Sequence, residues 1–382
     1  MIATAPPDPR VLAHLDADGL GDVFHPAQHR ACLLVERYVA ERVLDITAAL
    51  GLGDRLAAGA SLDALATAAG AAPERRDALA WLCRRLAADG RAVADGTRWR
   101  LTAPLPLPVA GPVRTEALAE RPDYAPAYDL VDAAAAAYPR VLRGETTGEE
   151  ALLTRLALWL AYFSNRHGYY ALNNHVAARA AARRCGAGTR VLEVGAGLGS
   201  ASETLLAGVG GGAALAAYAV TEPQPFFRRR AQRTLAADFP SAPLAFGDLD
   251  LNRPWAAQDV GTASCTLVWG VNVFHLADDL DAVLAEAHAA LAPGGWLVVG
   301  EGMRPAPGVP VGAELPFQLL SAWRGVRLDP ATRPEPGFLT AAHWRAALGR
   351  AGFADVALEP DVEALAALQP NFYAAAVCGR RA

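Results

Sequence analysis

The chain has 382 residues, enough for two domains of ordinary size, and 53% of them are hydrophobic, ample for a sizeable core. A formal net charge of −5 excludes a general nucleic-acid binder, which carries a basic surface, and all 35 basic residues are arginine. Five scattered cysteines with no C-x-x-C pair exclude a disulfide framework or a structural zinc and fit a reducing cytoplasm.

The chain opens on MIATAPPDPR, which has no basic segment leading into an apolar one, so no signal peptide is expected there. No apolar run reaches the about 20 residues of a membrane helix. From about Gln28 to Thr102 the reading is helical, closed by a short hairpin. RACLLVERYVAERVLDITAALGLGDRL repeats apolar residues at helical spacing. In SLDALATAAG, Ser61 serves as an N-cap and Gly70 as a stop, and PERRDALAWLCRRLAADG runs from Pro73 in a first turn to Gly90. RAVADGTRWRLT sets Asp-Gly between two strand-like pieces, a hairpin signal. Helices followed by such a hairpin describe a winged helix. Ser61 to Thr102 holds seven arginines against five acids, a mild excess, and the helices carry apolar stripes that need cover. A homodimer is therefore expected rather than DNA binding.

Pro and Gly crowd APLPLPVAGP, which reads as a linker. A long helical section follows from about Asp123 to Cys185. After Gly186 strands and helices alternate, with strands at Arg190–Val194, Ala217–Thr221, Pro243–Phe246, Thr266–Val271 and Gly295–Gly300. FADVALEP and NFYAAAVCG read as a closing pair. Such alternation predicts an α/β fold, a parallel Rossmann-like sheet covered on both faces, behind an N-terminal, mostly helical, winged-helix-like domain. The domains are 1–110 (dimerisation), 111–185 (connecting helices that contribute to a substrate pocket) and 186–382 (the Rossmann-like domain).

Open parallel sheets bind ligands at the carboxyl ends of their strands, where strand order reverses. The first strand here ends in VLEVGAGLGS. Gly195, Gly197 and Gly199 allow a close backbone approach, and the helix that follows offers free N–H groups to an anionic end. A nucleotide-like ligand is implied. The nicotinamide fingerprint G-x-G-x-x-G needs one more residue in its last interval than G-x-G-x-G provides. Acids close three successive strands: Glu193 before the loop, Glu222 in AYAVTEPQPFF and Asp248 in PLAFGDLD. A carboxylate suits ribose hydroxyls at the second and an adenine amino group at the third.

The glycine loop with its preceding acid resembles motif I of class I S-adenosylmethionine (SAM) methyltransferases. LEVGAGLGSASETLL, TEPQPFF, DLDLNRPWAAQ, WGVNVFHLADDLDAVL and LAPGGWLVVGE resemble the C-methyltransferase domains of polyketide synthases, as do ELPFQLLSAW and FLTAAHWRAALGRAGF. The N-terminal section resembles the winged-helix dimerisation domain of small-molecule O-methyltransferases. By this resemblance Glu193 faces the methionine amino end, Gly195, Gly197 and Gly199 admit the methionyl and ribose portions, and Glu222 takes the ribose. Asp248 and Leu249 take the adenine edge, and Asn272 sits beside the cofactor, whose spent form is S-adenosylhomocysteine (SAH).

His275 lies just past the fourth strand and Glu301 ends the fifth. Right-handed crossover between the two strands makes them neighbours, so the residues can meet at one edge, a base held by a third group. Histidine suits proton removal near neutral pH. The resemblance makes this the catalytic pair. Tyr170 and Asn174 are expected near the methionine end, and Phe317 and Trp323, in an insertion after the fifth strand, on the wall of a small-molecule substrate pocket. Trp159, Tyr162, Phe163 and Tyr169 are read chiefly as junction packing. His25 and His29, at i, i+4 in HPAQH, have no evident third ligand, and no metal is expected. C-methylation in specialised metabolism is the leading function. O-methylation, a non-methylation reaction on a SAM-binding fold, a nicotinamide oxidoreductase and a DNA-binding regulator are the alternatives.

Overall fold

The computed structural model describes residues 8–17, 19–21, 23–369 and 372–382. Most of the opening stretch, and Asn371 of the last expected strand piece, lie outside these residues. The described chain forms two compact units, each built from separated segments. One holds Pro26–Tyr162 and Ala306–Gly325; the other holds the described part of 8–25, Phe163–Pro305 and Val326–Ala382.

In the first unit the helix Pro26–Ala49 buries Glu36 along with its apolar face. Arg85 Nη1 donates to Glu36 Oε2 at 2.9 Å and Nη2 to Asp89 Oδ1 at 3.0 Å, and the Gly312 amide donates to Glu36 Oε2 at 3.1 Å. Trp81 Nε1 donates to the buried Glu314 Oε2 at 2.7 Å, and Gln318 Nε2 to the Tyr138 hydroxyl at 2.9 Å. These buried polar pairs tie residues 306–325 to helices more than a hundred residues earlier, a connection that spacing along the chain does not announce.

Ser61 caps its helix by accepting from the Ala64 amide at 3.2 Å, and Gly70 ends it at φ 66°, as expected. The hairpin is part of a three-stranded antiparallel sheet. Strands β1 (Ala60–Ser61), β2 (Ala92–Asp95) and β3 (Arg98–Leu101) lie in the order β1-β3-β2. The two-residue β1 is too short for a periodic signal. The linker expected across APLPLPVAGP ends early, since a helix occupies Ala110–Glu120. Pro112 falls in its first turn, where a missing N–H costs nothing.

The second unit carries the large sheet: β4 (Arg190–Glu193), β5 (Ala217–Thr221), β6 (Leu244–Gly247), β7 (Cys265–Val271), β8 (Leu291–Gly302), β9 (Phe353–Glu359) and β10 (Ala374–Arg381). The order is β6-β5-β4-β7-β8-β10-β9, parallel from β6 to β8, with β10 antiparallel to both neighbours. Central strands such as CTLVWGV are almost wholly buried, as a sheet covered on both faces requires. Helices Gly168–Ala182, Ser200–Gly208 and Pro225–Asp238 pack in succession, while Leu280–Ala290 packs with Ala341–Arg350. The observed architecture is the Rossmann-like α/β sheet expected. Strand order reverses between β4 and β7, which fixes the crevice. Among the described residues no helix is long and apolar enough to cross a membrane.

Candidate active site

Three carboxylates stand at the ends of three adjacent parallel strands. Glu193 closes β4, Glu222 follows Thr221 of β5, and Asp248 follows Gly247 of β6. Glu193 is 1% exposed, and its Oε2 accepts from Ser202 Oγ at 2.6 Å and Tyr218 OH at 2.7 Å. Burial pushes its carboxyl up to about 7, and the charge of Glu222 adds to the rise. Glu222 is also raised by burial. It is buried, and its oxygens accept from the Gly197 amide at 2.9 Å and the Gln224 amide at 2.8 Å. Asp248 is exposed, beside a buried Leu249.

The three loop glycines all have positive φ: 65° at Gly195, 55° at Gly197 and 84° at Gly199. Each requirement is distinct. A Cβ on Gly195 would stand 2.5 Å from Val273 Cγ2, and one on Gly199 would stand 3.1 Å from Leu235 Cδ1. A Cβ on Gly197 meets nothing within 4 Å, so that side faces open space. Gly199 opens the helix Ser200–Gly208, whose first amides follow the loop.

β7 and β8 are parallel neighbours, with Val271 opposite Gly300. Asn272 leaves β7 at φ 54°, and its Oδ1 accepts from Asn173 Nδ2 at 3.1 Å. The chain then turns through a single 3₁₀ turn, Phe274–Leu276. That turn brings His275 Nδ1 to 2.6 Å from Glu301 Oε2, and the His275 amide donates to Glu301 Oε1 at 3.2 Å. Exposure is 4% for the histidine and 1% for the glutamate. The Phe338 ring stands edge-on to the imidazole at 4.9 Å. A Cβ on Gly302 would lie 2.6 Å from that ring, so glycine makes room for it.

Tyr170 and Asn174 share one face of the helix Gly168–Ala182. Burial raises the Tyr170 hydroxyl, opposed by its hydrogen bond with Asn174, and the Glu193 charge acts in the same direction as burial. Asn174 Nδ2 donates to Asn165 Oδ1 at 2.8 Å, and Asn165 Nδ2 donates to the Ser200 carbonyl at 2.7 Å. Tyr170 is thereby linked through amides to the start of the glycine-loop helix. Phe317 and Trp323 belong to the other unit. There Phe317 stacks on Trp323 at 5.8 Å and meets Trp159 at 5.8 Å and Tyr162 at 6.2 Å.

A family model described as a methyltransferase domain matches residues 192–297, from the strand before the glycine loop to the fifth strand of that fold. The polyketide synthase ThaG of Burkholderia thailandensis is 32% identical over 320 residues, 80% of this chain and 5% of that protein. The chain is a class I methyltransferase, similar to the C-methyltransferase domains of polyketide synthases. Other relatives of this methyltransferase are polyketide synthases too, and it spans only 4% to 7% of their lengths. Its fold is that of the CurJ carbon methyltransferase (TM-score 0.79, 21% identity, 99% of this chain and 100% of that one). It also matches the trans-methyltransferase CalH, solved with SAH (TM-score 0.61, 18% identity, 93% and 92% of the two chains).

Sequence reasoning did not single out Asn165, Ser202, Tyr218, Arg333 or Phe338, all of which touch the residues above. Ser202 and Tyr218 had a usable signal: each is a polar residue at a position the fold must bury beside an acid. The others come from loops, whose contacts no periodicity encodes.

Proposed function

We propose that this methyltransferase moves the methyl group of SAM to an activated carbon, one flanked by carbonyl groups, on an intermediate of polyketide-type natural-product assembly. The buried 2.6 Å contact between His275 Nδ1 and Glu301 Oε2 carries the reading. A base oriented and charge-balanced by a carboxylate is what a weakly acidic carbon needs.

The residues fit the cofactor. Gly197 faces open space. The nearby Glu193 and Glu222 are carboxylates that burial disfavours as anions, and a ligand carrying a sulfonium and an ammonium would offset that cost. On this reading Glu193 answers the methionine amino end, and Gly195, Gly197 and Gly199 admit the methionyl and ribose portions. Glu222 accepts the ribose hydroxyls, Asp248 and Leu249 border the adenine, and Asn272 lies alongside. When bound, SAM supplies an electrophilic methyl.

With Nδ1 engaged by Glu301, Nε2 of His275 is the nitrogen that takes the proton from the acidic carbon. The electron pair left on carbon is the nucleophile. Glu301 balances the imidazolium that forms, and Phe338 keeps water from one edge of the ring. Tyr170 and Asn174 border the reacting end. The three-stranded sheet and helices of the first unit serve as a winged-helix module for homodimerisation.

The test uses methyl-¹³C SAM with a β-ketoacyl N-acetylcysteamine thioester as acceptor, read by ¹³C NMR. The label is expected on the carbon between the carbonyls. Label on oxygen overturns the carbon assignment.

A further inference from the structure

Arg333 sits in ATRPEP, a stretch that reads as a loop and that the mechanism above leaves unused. Its residue is 1% exposed. Nη1 donates to the Ala277 carbonyl at 2.5 Å, and Nη2 donates to the carbonyl of His275 itself. Those two carbonyls bracket the exit of the turn Phe274–Leu276, for which Ala277 is the C-cap. The stem is fixed as well: the Arg333 amide donates to the Asp329 carbonyl at 2.7 Å, and the Asp329 amide donates back to the Arg333 carbonyl at 2.9 Å.

Two carbonyls need only two neutral donors. A guanidinium is a costly way to supply them, because an ion buried without a directly bonded counter-ion loses its hydration. Burial pushes Arg333 down to about 10, while Glu301, Asp278 and Asp279 hold it up. Asp278 is exposed and Asp279 is paired with Arg327, which leaves Glu301 as the buried carboxylate among the three. Arg333 thus bonds the backbone of the base and acts through space on the base's carboxylate partner.

We propose that Arg333 is a positioning residue for the His275–Glu301 pair: its forked donation to the His275 and Ala277 carbonyls fixes the turn that aims the imidazole, and it sets a buried positive charge beside that turn. This rests on the proposed role of His275 as the base, but its test needs neither substrate nor cofactor.

The full chain, labelled with ¹³C in its histidine rings, is titrated by NMR in wild-type, Arg333→Lys and Arg333→Gln forms. The His275 signal is the one missing from His275→Gln. Removing a positive charge eases protonation, so Arg333→Gln should titrate above wild type by about one pH unit or more. Arg333→Lys keeps the charge and should stay within about 0.3 unit. A folded Arg333→Gln that titrates like wild type overturns the proposal. If Arg333→Gln does not fold, Arg333→Lys decides, and a displacement of about one unit despite the retained charge overturns it. A wild-type chain that transfers no methyl to any acceptor would count against the proposed function instead, and the two failures are told apart.

Discussion

The Gly197 amide donates to Glu222 Oε2 at 2.9 Å, so the loop after β4 and the acid after β5 are one hydrogen-bonded unit. Glu222 Oε1 also accepts from the Gln224 amide at 2.8 Å. Glu222→Gln turns one acceptor into a donor facing an N–H. Loss of one charged hydrogen bond is worth about 1.5–3 kcal/mol, so SAH affinity should fall roughly tenfold to a hundredfold by calorimetry. Unchanged affinity would dissociate Glu222 from the ligand.

Gly195 and Gly197 make opposite demands. Gly195→Ala drives a methyl to 2.5 Å from Val273 Cγ2 at φ 65°, and strain plus overpacking should cost about 2–5 kcal/mol in urea unfolding. Val273→Ala in the same chain should restore part of it. Gly197→Ala has free space and pays only the left-handed strain, about 1–2 kcal/mol, yet its methyl enters the space assigned to the ligand. It should lose SAH binding while staying folded. Equal stability losses for the two variants would contradict this division.

Glu193 gives the apo protein a definite pH dependence. Its folded carboxyl is raised from 4.5 to about 7, chiefly by burial. Below the unfolded value both states are protonated and no penalty exists. As pH rises, the unfolded chain releases its proton first, so this group lowers stability across that window and the loss levels off above about 7. The full loss is at most about 3 kcal/mol. Glu193→Gln keeps an oxygen for Ser202 and Tyr218 and should lack the decline. Unfolding midpoints at pH 5 and pH 8 check it; parallel curves for the two proteins would refute it.

Much of this was legible in the residues. Acids at successive strand ends, a glycine loop of defined spacing and His275 twenty-six residues before Glu301 needed only right-handed crossovers to converge. What escaped was non-local or too short to be periodic. Ala60–Ser61 is two residues long. The segment 306–325 joins the first unit through Glu36 and Trp81, single polar contacts without a sequence signature. Arg333 reads as a loop arginine, and only the fold brings it under the turn that carries His275.

The proposed function gives the first unit a role in dimerisation. Light scattering of the 40.0 kDa chain at micromolar concentration should report about twice that mass. A monomer would remove the assignment.

The central claim is that His275 is the base for methyl transfer rather than a structural histidine. The most direct measurement is single-turnover transfer from methyl-¹³C SAM to the thioester acceptor by His275→Ala, with SAH affinity checked separately by calorimetry and equal to wild type. A rate lower by about a hundredfold to ten-thousandfold with cofactor binding intact is expected for loss of a general base. Turnover close to that of wild type would contradict the account.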